Sequence, residues 1–256
     1  MTAPDEMSAV DGADVHTHIA RLARAVHGSA EDAVTPPDVL DHVTESAVRL
    51  LAAVDHAGIT LVHKRHRTRP PELESTAETG PVARTFDALQ HEHGQGPCFD
   101  AIWLQQTVII DDVDTEDRWP SFITAVRTDT PIRACLSLQL YVTDLELGAL
   151  NLFSETPHAF DPNTEDLATM LATHAAIALD TAKRGQQFRS ALASRDIIGQ
   201  AKGMIMERYD TDSLQAFGIL RQLSQDTNCP VSEVAARLVD ADHPIKSDRS
   251  NRSLKS

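Results

Sequence analysis

The chain has 256 residues, 41% of them hydrophobic and 24% charged, and a formal charge of -15. That composition fits an ordinary folded protein with room for one large domain or two modest ones. No run approaches the roughly 18 apolar residues of a membrane span. The start, "MTAPDEMSAVDGADVH", has neither a basic n-region nor an apolar core, so no leader is expected.

Taken in chain order, "DVHTHIARLARAV" and "PDVLDHVTESAVRLLAAV" carry apolar residues at helical spacing. The first predicts a helical extension over 1–35, the second the opening helix of a domain. "GITLVH", "TVII" and "ACLSLQLYV" have strand character. In the last, Leu136, Leu138, Leu140 and Val142 face one way, and Cys135, Ser137, Gln139 and Tyr141 the other. "GALNLFS" follows a short acidic turn as the next strand of a meander. The stretch "HKRHRTRPPELES" reads as a polar, proline-rich loop. "HEHGQGPC" reads as a loop turning on Gly94 and Gly96. Helices, then antiparallel strands, then a closing helix predict an α+β sheet with helices on one face.

Pro162 and Pro230 bracket 67 residues without a proline. Long helices are allowed there. From Thr164 to Tyr209 the pattern reads as continuous helix capped by Asn163 or Thr164, about 60–70 Å long at 1.5 Å per residue. Its heptads are irregular, with Ala, Thr, His and Gly at seam positions. "DTDSLQAFGILRQLSQ" opens with a D-x-x-Q capping pattern, Asp212 to Gln215, and has the stripe Ala216, Phe217, Leu220 and Leu223. "NCPVSEVAARLV" is expected to start at Asn228 as cap with Pro230 in the first turn. Its stripe is Val231, Val234, Ala235 and Leu238. The tail 241–256 is polar and expected to be disordered.

Charge is unevenly distributed. Residues 1–182 hold 11 basic and 29 acidic side chains, a balance of -18, whereas 183–240 hold eight and seven, a balance of +1. Only the C-terminal part can approach a polyanion without long-range repulsion.

Within that part, Ile197, Ile198, Ala201, Met204, Ile205 and Tyr209 share an arc of about 140° at 100° per residue, the expected core face. The opposite side presents Arg195, Gly199, Lys202, Gly203 and Met206. A helical glycine costs roughly 1 kcal/mol relative to alanine. Two glycines beside two cations suit a partner that approaches the backbone closely, such as an RNA loop. Packing of another helix, across a dimer for instance, accounts for the same pattern. Arg208, within the apolar arc, reads as a snorkelling or dipole-compensating arginine.

"RDIIGQAKGMIMERYDTDSLQAFGILRQLSQDTNCPVSEVAARLV" resembles the ANTAR domain, a three-helix RNA-binding module of bacterial antitermination regulators. The pattern runs through Arg195, Ile198, Ala201-Lys202-Gly203, Met206, Ala216-Phe217, Leu220-Arg221 and Val234-Ala235. Upstream, "DALQHEHGQGPC", "DRWPSF" and "GALNLFSETPHAF" are similar to the GAF sensor domain that actinobacteria often join to ANTAR. The resemblance implies a GAF-like domain over 36–182 and a linker helix with the ANTAR module over 183–240. It further implies a cytoplasmic, non-enzymatic homodimer that binds paired RNA stem-loops. Carried over by position, Arg195, Gln200, Lys202, Gly203, Met206 and Arg221 are the candidate RNA contacts. Asp210, Asp226 and Pro230 depart from the common pattern.

A GAF-like sheet places its pocket on the face away from the terminal helices. Cys135, Ser137, Gln139 and Tyr141 are then the ligand-pocket candidates, with Asp117–Phe122 as a lid, or else they fill a closed core. The fold does not name the small-molecule ligand, and no cofactor is expected. His91, His93 and Cys98 lack a fourth partner at zinc-ligand spacing. Cys98 and Cys135 lack a basic neighbour to activate a thiol. The three cysteines include no CxxC pair and suit a reducing compartment. Three readings from other classes stay open, one of them a partner-binding module whose helix face dimerises without RNA. A helix-turn-helix DNA-binding regulator requires a basic last helix, yet "PVSEVAARLV" holds one arginine and one glutamate. A GAF-bearing enzyme requires a nucleotide loop or nucleophile motif, and none is visible.

Overall fold

A computed structural model describes residues 35–63, 72–104, 107–143 and 146–242, together with Thr17. The expected extension over 1–35 lies almost wholly outside the described residues, as does the tail beyond 242. Contacts divide the chain into two units, Met1–Arg184 and Gly185–Ser256.

The first unit opens with helix α1, Pro36–Leu50. Thr35 and Asp38 form a reciprocal capping box ahead of Pro36, which satisfies the first free amides. Strands β1 (His56–His63) and β2 (Glu72–Thr76) follow, then helices α2 (Pro81–His93) and α3 (Pro97–Leu104). Next come β3 (Val108–Ile110), α4 (Pro120–Asp129), β4 (Ala134–Thr143) and β5 (Glu146–Ser154). Helix α5, Pro162–Tyr209, begins in the first unit and ends in the second. The sheet order is β2-β1-β5-β4-β3, with every neighbouring pair antiparallel.

Both faces of the sheet are covered, not one. Ile59, Leu136, Leu138, Leu140, Leu150 and Leu152 pack with α1 and with Leu171, Ala175 and Leu179 of α5. On the other face Val62, Cys135, Ala149 and Phe153 meet α2, α3 and α4. Period-two alternation on β4 and β5 makes this possible, since each strand feeds two cores. The second core centres on Phe86, which meets Phe122 edge-on at 5.2 Å and Phe153 at 4.5 Å. Trp119 and Phe122, within the expected lid, are buried at the start of α4. Asp117, Arg118, Pro120 and Ser121 are exposed, so in that stretch only the two aromatic rings join the core.

Two other expectations change. "ELEST", assigned to the polar loop, is β2, because pairing along β1 outweighs its low strand propensity. Gly94 and Gly96 do turn the chain, at φ of 61° and 141°, between helices that periodicity alone did not show. The cap of α5 is Asp161, whose carboxylate accepts the Thr164 amide at 2.7 Å.

The second unit comprises the end of α5 with helices α6 (Ser213–Thr227) and α7 (Val231–Asp242). Asp212 caps α6 by accepting the Leu214 and Gln215 amides at 2.8 Å each, while the Gln215 side chain bonds Thr211. Asn228 proves to close α6 rather than open α7. It adopts the left-handed region at φ 50°, and the Cys229 amide reaches back to the Ser224 carbonyl at 3.1 Å. The Pro230 carbonyl then accepts the first amides of α7. Ala201, Ile205, Ala216, Leu220 and Ala235 are buried at the centre, ringed by Ile197, Ile198, Val231, Val234 and Leu238. Tyr209, assigned to the core face, is instead 66% exposed.

Candidate nucleic-acid interface and sensor interior

In the second unit, α5 and α6 enclose an open groove of about 550 Å³. Arg195 and Lys202 of α5 and Phe217 of α6 line it, over a floor that includes Ile198 and Gly199. Residues 195, 199 and 202 are spaced so that one helix face presents all three. Among the described residues no carboxylate lines the groove. The Lys202 ammonium stands over the Phe217 ring at 6.0 Å. A methyl group built on Gly199 or Gly203 meets nothing within 4 Å. Nothing within the unit therefore requires either glycine; both leave backbone open to an approaching partner.

The other predicted contacts are dispersed around this groove. Gln200 and Gly203 are exposed on α5. Met206 is half-buried and packs on the small core, so its place on the solvent side of the wheel is corrected. Arg221 is exposed on α6, one turn beyond Phe217. Arg208 lies in the last turn of α5.

The sensor interior is polar where the sheet meets α2 and α3. Cys135 and Ser137 are fully buried on β4, and Gln139 is half-buried. The Ser137 hydroxyl donates to Asn151 Oδ1 at 2.9 Å, and the Gln139 amide donates to the Ile102 carbonyl at 3.1 Å. Tyr141 belongs to β4, but its side chain lies outside the described residues. Asn151 donates to Thr60 Oγ1 at 3.2 Å and Asp87 Oδ1 at 3.1 Å, and Gln90 donates to the same Asp87 oxygen at 3.0 Å. The second Asp87 oxygen, Oδ2, has no hydrogen-bond partner among the described residues.

Charge is costly at this depth. Burial, reinforced by Glu78, pushes the Asp87 carboxyl up to about 7. Burial likewise raises the Cys98 and Cys135 thiols, with Asp87 adding to the effect. His91 bonds Ser75 at 2.7 Å, and its partial burial lowers its pKa.

Comparison with known protein families assigns a domain to each part of the chain. A GAF domain family model matches residues 33–180, more than half of the chain, and an ANTAR domain model matches 186–239. The chain belongs to the GAF family and carries a C-terminal ANTAR domain. Both are regulatory rather than catalytic domains, so the protein is a regulator with a sensor domain. Curated protein sequences yield no match. Among solved structures, SdiA in complex with octanoyl-rac-glycerol is similar in fold, with a TM-score of 0.50 at 15% identity over 93% of this chain and 96% of that one. Free methionine-R-sulfoxide reductase from Neisseria meningitidis gives 0.47 at 17% identity, over 72% and 99%. The GAF domain of Acinetobacter phosphoenolpyruvate-protein phosphotransferase gives 0.47 at 14%, over 70% and 97%. Among the described residues no helix is long and apolar enough to cross a membrane.

Two residues expected on core faces, Ile198 and Phe217, line the ANTAR groove. Phe217 is apolar and adjacent to Ala216, so a helical wheel draws it into the core stripe, yet it is 40% exposed. The available signal was its position at the edge of the stripe, one turn before Arg221. The GAF interior likewise hides Asp87, Gln90 and Asn151. For Asn151 the signal was a lone polar residue inside "GALNLFS" directly across from Ser137.

Proposed function

We propose that the protein is a signal-responsive, RNA-binding regulator of transcription antitermination. The GAF domain, 36–182, receives a small-molecule signal, and the ANTAR module, 183–240, binds paired RNA stem-loops as a homodimer that prevents a terminator from forming. It acts in the cytoplasm, without catalysis, a resident cofactor or a membrane partner. The observation that carries this reading is the groove in which Arg195 and Lys202 stand together with no carboxylate in its lining. Cations over accessible backbone and an apolar floor suit a flexible, unpaired polyanion better than a regular duplex. Helix α7 adds support, since Arg237, paired with Glu233, is its one basic residue, too few for a DNA-reading helix. In the GAF domain, a ligand arriving beside Cys135, Ser137, Gln139 and Tyr141 must exchange with the Gln139–Ile102 bond at the half-buried end of that row.

The test is titration of the full-length protein with a pair of hexaloop RNA hairpins across a salt series. Lys202→Ala and Arg195→Ala should each weaken binding and lower the slope of log K against log salt by about 1. Unchanged affinity and slope in both variants would remove the groove from the RNA-binding surface.

A further inference from the structure

We infer that Phe217 is the stacking platform of the ANTAR groove, receiving one unpaired base of an RNA loop while Arg195 and Lys202 hold neighbouring phosphates. The inference rests on the RNA-binding reading and adds to it a residue and a mode of recognition.

Three observations carry it. Phe217 shares α6 with Ala216 and Leu220, both fully buried, yet its own ring is 40% exposed and lines the groove. A large aromatic side chain left beside the core of so small a unit is available to something outside it. Secondly, the ring faces a cationic wall. Lys202 reaches it at 6.0 Å, the outer limit of a cation–π contact, so the ammonium is weakly held and can move to a phosphate as a base takes the ring. Thirdly, Gly199 keeps side-chain bulk out of the groove, and a methyl there would meet nothing within 4 Å.

One aromatic face, two cations and an uncluttered backbone suit a planar group on an anionic chain. Unpaired RNA bases offer π-faces for stacking whatever their sequence, and cations track the backbone between them. Arg195 and Lys202 along one wall favour an anionic occupant over a protein segment. Arg221, exposed one turn along α6, extends the same basic surface.

The experiment uses the full-length protein and paired hexaloop RNA hairpins in which each loop position in turn carries 2-aminopurine, whose fluorescence is quenched by stacking. With the wild-type protein, one position should be quenched on binding. Phe217→Leu should abolish that quench and weaken binding about 5- to 140-fold, the range of one lost base–aromatic stack. Phe217→Tyr should keep both, and helical circular dichroism should show all three proteins equally folded. If Phe217→Leu keeps the affinity and the quench while Lys202→Ala still weakens binding, the platform is refuted and the RNA reading stands. If the wild-type protein binds no hairpin, both readings fall. If Phe217→Leu leaves RNA binding intact but dissociates a dimer in sedimentation, a second copy of the chain covers the groove and the inference is overturned.

Discussion

Replacing Gly203 by alanine separates folding from binding on one helix. Gly203 lies inside α5, away from either end, and a methyl at its Cβ position meets no atom within 4 Å. Alanine therefore introduces no clash and gains helix propensity, about 0.8–1 kcal/mol. Fewer accessible states in the unfolded chain contribute to the same gain. The second unit is small and its buried core is mainly alanine, Ile205 and Leu220, so a gain of this size is measurable there. Both tryptophans, Trp103 and Trp119, are in the first unit. Urea unfolding followed by helical circular dichroism and by tryptophan fluorescence can thus resolve the two units. Gly203→Ala should stabilise the helical transition by about 1 kcal/mol and leave the fluorescence transition in place. RNA affinity should move the opposite way, falling several-fold, because the methyl occupies the space kept open for a partner. A variant that is more stable and binds RNA as tightly as wild type would refute the idea that the glycine serves close approach.

Two predictions concern the sensor interior. The Asp87 carboxyl is raised from 3.8 to about 7, so its contribution is fully present below pH 3.8 and is lost as pH rises through about 7. At 1.36 kcal/mol per unit the loss has a ceiling of roughly 4 kcal/mol. Urea midpoints by tryptophan fluorescence should therefore fall from pH 5 to pH 8 in the wild type relative to Asp87→Asn; parallel profiles would discard a buried ionisation here. Gly58→Ala sets a methyl 2.7 Å from Asp87 Oδ2, and should destabilise the same unit by about 1–3 kcal/mol in the fluorescence transition. No change would mean that β1 and α2 separate more easily than their packing indicates.

Legibility in the sequence followed the local signals. β4 was readable because its Leu136-Leu138-Leu140 row alternates against Cys135-Ser137-Gln139, and the three C-terminal helices were readable from their stripes. The cap at Asp212 was also local, a carboxylate three residues before Gln215. By contrast, β2 forms only because β1 is there to pair with it, a partner no local window contains. Asn228 misled because asparagine both caps helix starts and tolerates left-handed backbone; the second role won. In the candidate interface, Arg195 and Lys202 were legible as a helix face. Phe217 was not, because its exposure depends on how α6 rolls against α5, and a one-helix wheel cannot register that rotation. Asp87 was hidden for a similar reason. An aspartate in "TFDALQ" carries no local sign of burial until the sheet covers it.

The central claim is that the C-terminal module binds RNA hairpins in preference to duplex DNA. Competition binding with the full-length protein tests it most directly: a labelled hexaloop hairpin pair is displaced by unlabelled hairpins or by duplex DNA of equal charge at the same salt. The hairpins are expected to displace it at far lower concentration than the duplex. Equal displacement by both, or stronger displacement by duplex DNA, would contradict the claim.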